Sequence, residues 1–562
     1  MLADSDAAPA APAAPVSGAL AAPTGAPASE APASGALVGA APASTELIHA
    51  DLKPLARDTS LPDSVPLPCN DPSHWDRILA AYPENAVYSG PDDLVGPLKL
   101  YGLGGPSLHP GTPPSVQGLH AVASIYGAEF PALVPTFYAR GLPWLISQMK
   151  RLPALAGEHG GLPYLRQGER RTLVLERRFA LSLLANMFLC TFDGVLMQDW
   201  QTNTLNLPSF KRLFARNESV PQEIAKLAMF MHASNRLSDR DGEIRGTLVI
   251  ERVVGAARTG AAWLQEPSLL LPLTVLPKNW GFEDLMDPRL GQNVAHADFA
   301  NMFIGGGVFW GGCVQEEIRF AICPELCVAL IVAPVLQPEE SLLITGAERF
   351  SAYSGYAFKL RFAGDHRDLQ PREGNGTIQS CILAMDAQDF RGRDSSFSAQ
   401  LSPTCLLRDL NKAVTAFGPS GFTEHFPKVA TGNWGCGAFR GNARLKALVQ
   451  WIAASAAGRQ LRYYPFSEDF GAELHQLSGR LCARGVTAGQ LTTALVRMRC
   501  IPNPSDLFYL ADKLLAPAPL EPGSSPKTEP NSKTEPDSKT EPKPPPSEPK
   551  PPPSEEAPGG RT

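Results

Sequence analysis

Residues 297–320 read ADFANMFIGGGVFWGGCVQEEIRF, and the rest of the chain is best understood outward from this stretch. Three consecutive glycines, residues 305–307, follow a short apolar run that begins after Asp298. Consecutive glycines cost chain entropy on folding, so they mark a backbone that takes positive φ or lies against a ligand. Two adjacent carboxylates, Glu316 and Glu317, then open a predicted helix. Carboxylates at the end of such a loop predict acid–base chemistry on something that the backbone holds.

Further motifs follow this stretch in a fixed order. Residues 344–346 read ITG, residues 353–356 read YSGY, and residues 430–439 read ATGNWGCGAF. Together with the pattern G-G-G-x7-Q-E-E and the DFAN that precedes it, these motifs resemble the poly(ADP-ribose) glycohydrolase family. The resemblance extends over roughly residues 70–510. An isolated Glu pair would be read as a charged first helical turn that favours the helix dipole; beside the glycines and Asp298 the catalytic interpretation is preferred.

The resemblance implies a fold and a division of the chain. The fold is α/β, macrodomain-like, with three α/β/α layers around a mixed sheet, and a helical accessory domain precedes it. The expected segments are a disordered Ala/Pro-rich tail (1–65), the helical accessory domain (66–245), the macrodomain-like catalytic domain (246–515) and a disordered Pro-rich repeat tail (516–562). The implied activity is cleavage of ribose–ribose O-glycosidic bonds in poly(ADP-ribose), which releases ADP-ribose without a cofactor.

The same resemblance assigns roles to individual residues. It makes Glu317 the general acid, has Glu316 hold ribose hydroxyls and adds Asp298 to the catalytic group. The leaving ribose oxygen needs a proton, and repulsion between close, partly buried carboxylates raises the pKa of one of them, as a general acid requires. The substrate-binding residues implied by the family are Phe299, Asn301, Gly305, Gly306, Gly307, Gln315, Tyr356, Gly432, Asn433, Gly435, Cys436, Gly437, Phe439 and Phe466, and no metal ligand is expected.

Two groups within that set also have a rationale in their residue types. The glycines at 432, 435 and 437 precede a predicted helix, and backbone amides of such a segment can bind a diphosphate without a lysine. The alternative is a tight turn between a strand and a helix. Tyr356 and Phe466 are similar in position to family residues that contact adenine, and Phe439 to one near the ribose. Aromatic rings stack on bases, although core packing is the alternative for each ring.

Composition limits the possible partners. The chain has 562 residues with a net charge of −6, which argues against general or sequence-specific nucleic-acid binding. Its ten cysteines form no C-x-x-C pair, which favours reduced thiols in an intracellular protein over a zinc or disulfide framework. The longest apolar run, at 326–336, is too short to cross a bilayer. The expected partners are poly(ADP-ribose) and ADP-ribosylated proteins, and we expect a monomer in the nucleus and cytoplasm.

Periodicity predicts the main elements. Residues 66–245 are predicted to be helical, with a break or helix start at Pro143 and a buried helix at 177–192. Predicted strands lie at 247–254, 340–344, 378–385 and 460–464, and predicted helices at 406–417 and 442–457. Thr487 and Gln490 form a predicted capping box for a last helix that ends near Met498.

One departure and two alternative functions accompany this assignment. Phe309 and Trp310 stand where the family usually has small residues, so they either pack outward or reshape the mouth of the site. His296, two residues before Asp298, is interpreted as a packing or surface histidine.

The alternative functions are a module that binds ADP-ribose without cleaving it and a hydrolase of another ADP-ribosyl linkage. The intact Glu pair favours an enzyme over a binding module.

Overall fold

A computed structural model describes residues 61–100, 115–194, 205, 208–277, 293–392, 396–499, 501 and 503–517. The predicted tails lie almost entirely outside these residues. The strands are β1 Arg171–Glu176, β2 Thr247–Val254, β3 Thr274–Val275, β4 Val294–Asp298, β5 Glu340–Thr345, β6 Ser351–Ser354, β7 Arg361–Asp365, β8 Cys381–Ala384, β9 Lys428–Gly432 and β10 Gln460–Tyr464.

The helices precede, separate and follow these strands. They are α1 Pro72–Ala81, α2 Val95–Leu100, α3 Gln117–Tyr126, α4 Leu133–Thr136, α5 Leu142–Lys150, α6 Leu152–His159, α7 Arg177–Phe188, α8 Lys211–Phe214, α9 Pro221–Ser238, α10 Gly260–Leu264, α11 Gln315–Ile322, α12 Ala329–Val332, α13 Phe397–Gln400, α14 Pro403–Phe417, α15 Ala443–Ala456, α16 Glu468–Ala483, α17 Ala488–Arg497 and α18 Leu507–Leu514. In the described ranges, none of the helices combines the length and the apolar character that crossing a bilayer requires.

One mixed sheet organises the molecule. Its strand order is β1-β2-β5-β8-β4-β9-β10-β3, and a separate two-stranded sheet pairs β6 with β7. The central strand β4 runs parallel to both neighbours, with His296 opposite Ile382 of β8 and Ala430 of β9. Parallel strands end at the same edge of a sheet, which is where open α/β sheets bind ligands. The segments that follow β4, β8 and β9 therefore emerge side by side.

Alternating residues of the central strands face two different cores. Leu342 and Ile344 of β5 contribute to a core shared with the helices of the N-terminal half. Leu343, between them, contributes to a second core with α14, α15 and α17. This period-two alternation is what a sheet buried on both faces requires. The result is the predicted three-layer α/β/α arrangement, and the fold class is confirmed.

Most predicted elements are present with small shifts. The predicted strands at 247–254 and 460–464 are confirmed as β2 and β10, and the predicted helices at 406–417 and 442–457 as α14 and α15. The predicted capping box at the start of α17 is also present. At Pro143 the chain passes from a π-helical turn, Phe137–Gly141, into α5, so the predicted helix start is confirmed.

The segment at 66–245, which the sequence predicts to be helical, also contains one strand that the sequence pattern did not indicate. Residues 171–176 form β1, which pairs with β2 in antiparallel register, Leu173 opposite Ile250. Leu173 and Leu175 alternate with exposed residues, as an edge strand with one buried face requires. The described residues up to Leu515 belong to one compact unit. The domain boundary between residues 245 and 246 therefore stays a prediction.

Candidate active site

The site is built where β4 ends. Asp298 is the last residue of β4 and is fully buried. Residues 299–314, here called the carboxylate loop, connect it to α11, whose first three residues are Gln315, Glu316 and Glu317. All three side chains turn back toward the loop instead of pointing to solvent. The loop and the first turn of α11 thus form a single unit at the carboxyl edge of the central strand.

Backbone amides of the carboxylate loop hold both glutamates. Glu316 Oε2 accepts a hydrogen bond from the amide of Asn301 at 2.8 Å, and Oε1 accepts one from Gly305 at 2.7 Å. Glu317 Oε1 accepts from Gly307 at 2.8 Å, and Oε2 accepts from Val314 at 2.9 Å. Because both oxygens of each side chain accept a backbone amide, each carboxyl group is fixed in orientation.

Gln315 and Asn301 form further hydrogen bonds within the same unit. Gln315 Oε1 accepts from the amide of Phe299 at 2.7 Å, and the side-chain oxygen of Asn301 accepts from the amide of Phe303 at 3.0 Å. The side chain of Asn301 therefore stabilises the turn of the carboxylate loop, and its backbone amide binds Glu316.

The glycines are needed because the carboxylates lie directly against the loop. Gly306 has φ +48°, a conformation that costs other residues about 1–2 kcal/mol. A Cβ on Gly306 would collide with Glu317 Oε1 and would lie 2.6 Å from Glu316 Oε2. A Cβ on Gly312 would collide with Glu317 as well. Both carboxylates therefore converge on the space above Gly306.

Burial and like charge act on this pair together. Glu316 is 2% exposed and Glu317 is 6% exposed. Burial, followed by the charges of Asp298 and Glu317, raises the pKa of Glu316 well above its ordinary value of 4.5. The amides of Asn301 and Gly305 oppose this shift without cancelling it. The carboxyl group with the raised pKa is therefore Glu316, and the assignment of the general acid to Glu317 stays a prediction.

A second glycine-rich segment, residues 433–441, follows β9 and is here called the tryptophan loop. Trp434 is buried, and its indole Nε1 donates to the carbonyl of Met385 at 3.0 Å. Gly435 has φ +72°, and a Cβ there would collide with the Cβ of Ala387. Gly437 is exposed, and a Cβ there would meet no atom within 4 Å. The tryptophan loop is thus anchored at Trp434 and open at Gly437.

Two predicted residues of the tryptophan loop form hydrogen bonds within the protein itself. Asn433 accepts a hydrogen bond from the hydroxyl of Tyr463 at 3.1 Å and donates to the carbonyl of Pro465 at 3.3 Å. Burial raises the pKa of the Cys436 thiol to about 12, so this cysteine is an unreactive thiol at neutral pH.

The predicted aromatic residues lie beside these loops. Phe466 is 53% exposed, has φ +58°, and its Cε2 would lie 3.3 Å from a Cβ on Gly432. Tyr356 is 50% exposed, and the next residue, Ala357, donates its amide to the carbonyl of Cys313 at 3.1 Å. Phe466 therefore lies beside Gly432 at the end of β9, and Tyr356 directly precedes a residue that is hydrogen-bonded to the carboxylate loop.

The remaining predicted side chains are less exposed. Phe439 is half-buried, with the Arg391 guanidinium carbon 5.2 Å from the centre of its ring. Phe299 is half-buried and packs against a small cluster that contains Ala430 and Tyr464.

The two unusual aromatics of the carboxylate loop point in different directions. Phe309 is buried with its ring centre 4.3 Å from that of Phe210 and 5.9 Å from that of Phe230. Trp310 is 44% exposed, and Arg212 lies 5.8 Å from its ring centre. Phe309 therefore packs the carboxylate loop against the helices of the N-terminal half, whereas Trp310 lies at the surface.

His296 is a buried packing residue. Arg319 of α11 donates to its Nδ1 at 3.2 Å, and burial together with Arg319 and Arg349 lowers its pKa well below 6.5. Within the described ranges, no group of His, Cys, Asp and Glu side chains is arranged to hold a metal ion.

Sequence reasoning missed Lys226, which lies behind the carboxylate loop. Its ammonium group donates to the carbonyls of Gly307 at 2.9 Å and Trp310 at 2.6 Å, and also to that of Gly312. The available signal was a single lysine inside the apolar stretch IAKLAMFM of residues 224–231. A lysine in an all-round apolar helix is buried, and buried charges have partners.

Comparison with known proteins finds two family models that match the chain. Residues 284–472 match the family model described as poly(ADP-ribose) glycohydrolase, macro domain fold, and residues 132–252 match the model for the helical domain of the same family. Together these matches cover more than half of the chain.

Similar proteins include poly(ADP-ribose) glycohydrolase 1 of Arabidopsis thaliana, 28% identical over 435 residues, which are 62% of this chain and 76% of that protein. Poly(ADP-ribose) glycohydrolase 2 of Caenorhabditis elegans is 37% identical over 204 residues, 34% of this chain and 42% of the relative. A crystal structure of the Deinococcus radiodurans poly(ADP-ribose) glycohydrolase with ADP-ribose matches with 17% identity and a TM-score of 0.25, covering 41% of this chain and 95% of that one. On the two family-model matches, the chain belongs to the poly(ADP-ribose) glycohydrolase family.

Proposed function

We propose that this protein is a poly(ADP-ribose) glycohydrolase that cleaves ribose–ribose O-glycosidic bonds and releases ADP-ribose. The observation that carries the proposal is the Glu316–Glu317 pair, which is buried, fixed by four loop amides and placed at the carboxyl edge of the central strand. A protein that only binds ADP-ribose has no need of such a pair. Membership in the family supports the same activity.

The proposed chemistry needs one proton donor and one water. The bond between the anomeric carbon and the leaving ribose oxygen breaks through an oxocarbenium-like state, and the oxygen takes a proton from Glu317. Water then adds to the anomeric carbon and returns a proton to Glu317. Glu316, whose pKa is raised by burial and by Asp298 and Glu317, holds the ribose hydroxyls. The amides of Gly307 and Val314 keep Glu317 in place during both steps.

The rest of the substrate is proposed to lie across the other loops. The exposed turn around Gly437 offers backbone amides to the diphosphate. Tyr356 and Phe466, both about half-exposed, contact the adenine, and Phe439 lies near a ribose. ADP-ribosylated proteins carry the polymer to the enzyme, and the protein acts as a monomer in the nucleus and cytoplasm.

Incubation of the purified protein with labelled poly(ADP-ribose) tests the proposal, with the products resolved by chromatography. The expected product is free ADP-ribose, and Glu317→Gln should release almost none. Binding of polymer by the wild type without release of ADP-ribose would replace this proposal with a binding module. Release of ADP-ribose only from singly modified proteins, with polymer left intact, would replace it with a hydrolase of another linkage.

A further inference from the structure

Lys226 is a fully buried lysine of α9 that contacts the carboxylate loop. An ammonium group has three N–H donors and no acceptor. The three carbonyls of Gly307, Trp310 and Gly312 accept from it, so all three donors have a partner in one loop. These carbonyls belong to the carboxylate loop, and α9 lies in the part of the chain that matches the helical-domain model.

The carboxylate loop is therefore held from two sides. Its amides at Gly305, Gly307 and Val314 point to the glutamates, and its carbonyls point to Lys226. Gly307 takes part on both sides, because its amide donates to Glu317 and its carbonyl accepts from Lys226. A displacement of this carbonyl therefore moves the amide that orients the proposed general acid.

The charges around Lys226 fit this position. Burial is the largest effect and lowers the pKa of Lys226, while Cys313, Glu317 and Glu223 oppose the shift. Glu223, one turn earlier on α9, also pairs with Arg216 at 2.7 Å. Burying an ammonium group is costly unless it is hydrogen-bonded and paired. The loop carbonyls supply the hydrogen bonds, so the lysine and the loop stabilise each other.

We propose that Lys226 is a positioning residue of the active site: it fixes the carboxylate loop, and through Gly307 it fixes the orientation of Glu317. The inference rests on the proposed glycohydrolase activity. It gives α9, a helix of the N-terminal half, a role in catalysis in addition to its role in packing. Lys226 does not touch substrate in this proposal, so its removal should reduce turnover more than ligand binding.

The test is Lys226→Met in the full-length protein, with Lys412→Met as the matched control. Lys412 is also fully buried and binds carbonyls, including that of Gln337 at 2.6 Å, together with Asp386 at 2.6 Å. Both variants lose a buried ammonium group and both should unfold at a lower temperature. A misplacement of about 1 Å can cost about 10²-fold in rate, so kcat of Lys226→Met should fall by roughly that factor. The Kd for ADP-ribose should change less than threefold, which is below about 0.7 kcal/mol.

Hydrogen exchange gives a readout that does not depend on activity. Peptides that span residues 303–314 should exchange faster in Lys226→Met than in the wild type, and Lys412→Met should leave them unchanged. Wild-type kcat per folded molecule, or parallel loss of kcat and ADP-ribose binding in step with the folded fraction, would overturn the inference. If Lys226→Met does not fold, Lys226→Arg is judged by the same criteria. An inactive wild type would refute the glycohydrolase instead, and unchanged loop exchange would still refute the role of Lys226.

Discussion

The carboxylate loop and the tryptophan loop are both rich in glycine, both follow a parallel central strand and both reach the same edge of the sheet. Their surroundings are opposite. In the carboxylate loop, the amides of Gly305 and Gly307 are occupied by Glu316 and Glu317. In the tryptophan loop, Gly437 is exposed and a Cβ there would meet no atom within 4 Å. The first loop is closed around the protein's own carboxylates, and the second is open to a ligand.

The difference shows that one sequence signal has two physical causes. Gly306 is required because the carboxylates of Glu316 and Glu317 lie where its side chain would be. A Cβ on Gly305 would instead crowd Leu330, and one on Gly307 would crowd the backbone of Gly312. At Gly437 the missing side chain leaves room in front of the backbone. We infer that the carboxylate loop orients the chemistry and that the tryptophan loop contacts the substrate. The following experiments test this division, from the largest expected effect to the smallest.

Glu317→Gln should have the largest effect. General acid–base catalysis contributes about 10²–10⁴-fold, so kcat for polymer hydrolysis should fall at least that far. Both oxygens of Glu317 accept backbone amides, so a glutamine must turn its NH2 group toward one N–H and lose a hydrogen bond. A loss of roughly 1 kcal/mol of stability should accompany the loss of turnover. ADP-ribose binding, measured by calorimetry, should change little, since the product lacks the bond that is protonated.

Asp298→Asn is the comparison for that variant, and it should reduce both binding and rate. Hydrolysis of polymer by Glu317→Gln at the wild-type rate would remove Glu317 from the role of general acid. The proposal that the carboxylate loop orients the general acid would then be refuted.

Gly306→Ala should have the next largest effect, because the new methyl group collides with Glu317 and crowds Glu316. We expect kcat to fall about 10²-fold as the carboxylates move. Gly458→Ala is the matched control, since Gly458 also has positive φ, +74°, but faces open space. Both variants should lose similar stability from backbone strain, and only Gly306→Ala should lose activity. Equal activities in steady-state assays would mean that the carboxylates tolerate displacement.

The sequence predicted the position of these loops better than their contacts. The β-like run of residues 247–254 and the helix after the glycines were predictable because local periodicity decides them. The contact of Lys226 with Gly307 joins residues 81 positions apart, which no local pattern reveals. The same is true of Phe309, for which the sequence predicts either outward packing or a reshaped mouth of the site. Both alternatives are wrong for Phe309, because its contacts with Phe210 and Phe230 place it in the core.

The pH dependence of stability should show the raised pKa of Glu316. The folded protein keeps this proton at pH values where the unfolded chain, with a pKa near 4.5, has lost it. The contribution is therefore fully present below pH 4.5 and is lost as the pH rises toward the folded pKa. It falls by at most about 1.4 kcal/mol per pH unit. Melting curves of the wild type and Glu316→Gln should diverge in this window, with the wild type losing stability relative to the variant. Parallel curves would place the raised pKa elsewhere.

Gly437→Ala should have the smallest effect and tests the open loop directly. Gly437 lacks positive φ and has no neighbour within 4 Å of a Cβ, so the melting temperature should not change. If the loop amides bind the diphosphate, a methyl group in front of them should weaken one hydrogen bond. A typical net hydrogen bond is worth about 0.5–1.5 kcal/mol, which corresponds to roughly a twofold to tenfold higher Kd for ADP-ribose. Gly421→Ala, at another exposed glycine with open space, is the control and should bind ADP-ribose as the wild type does.

Wild-type affinity in Gly437→Ala would show that the tryptophan loop is open but does not bind the ligand. The diphosphate would then have to bind elsewhere along this edge of the sheet. The proposed role of the tryptophan loop in substrate binding would be refuted, and the proposed role of the carboxylate loop would be unaffected.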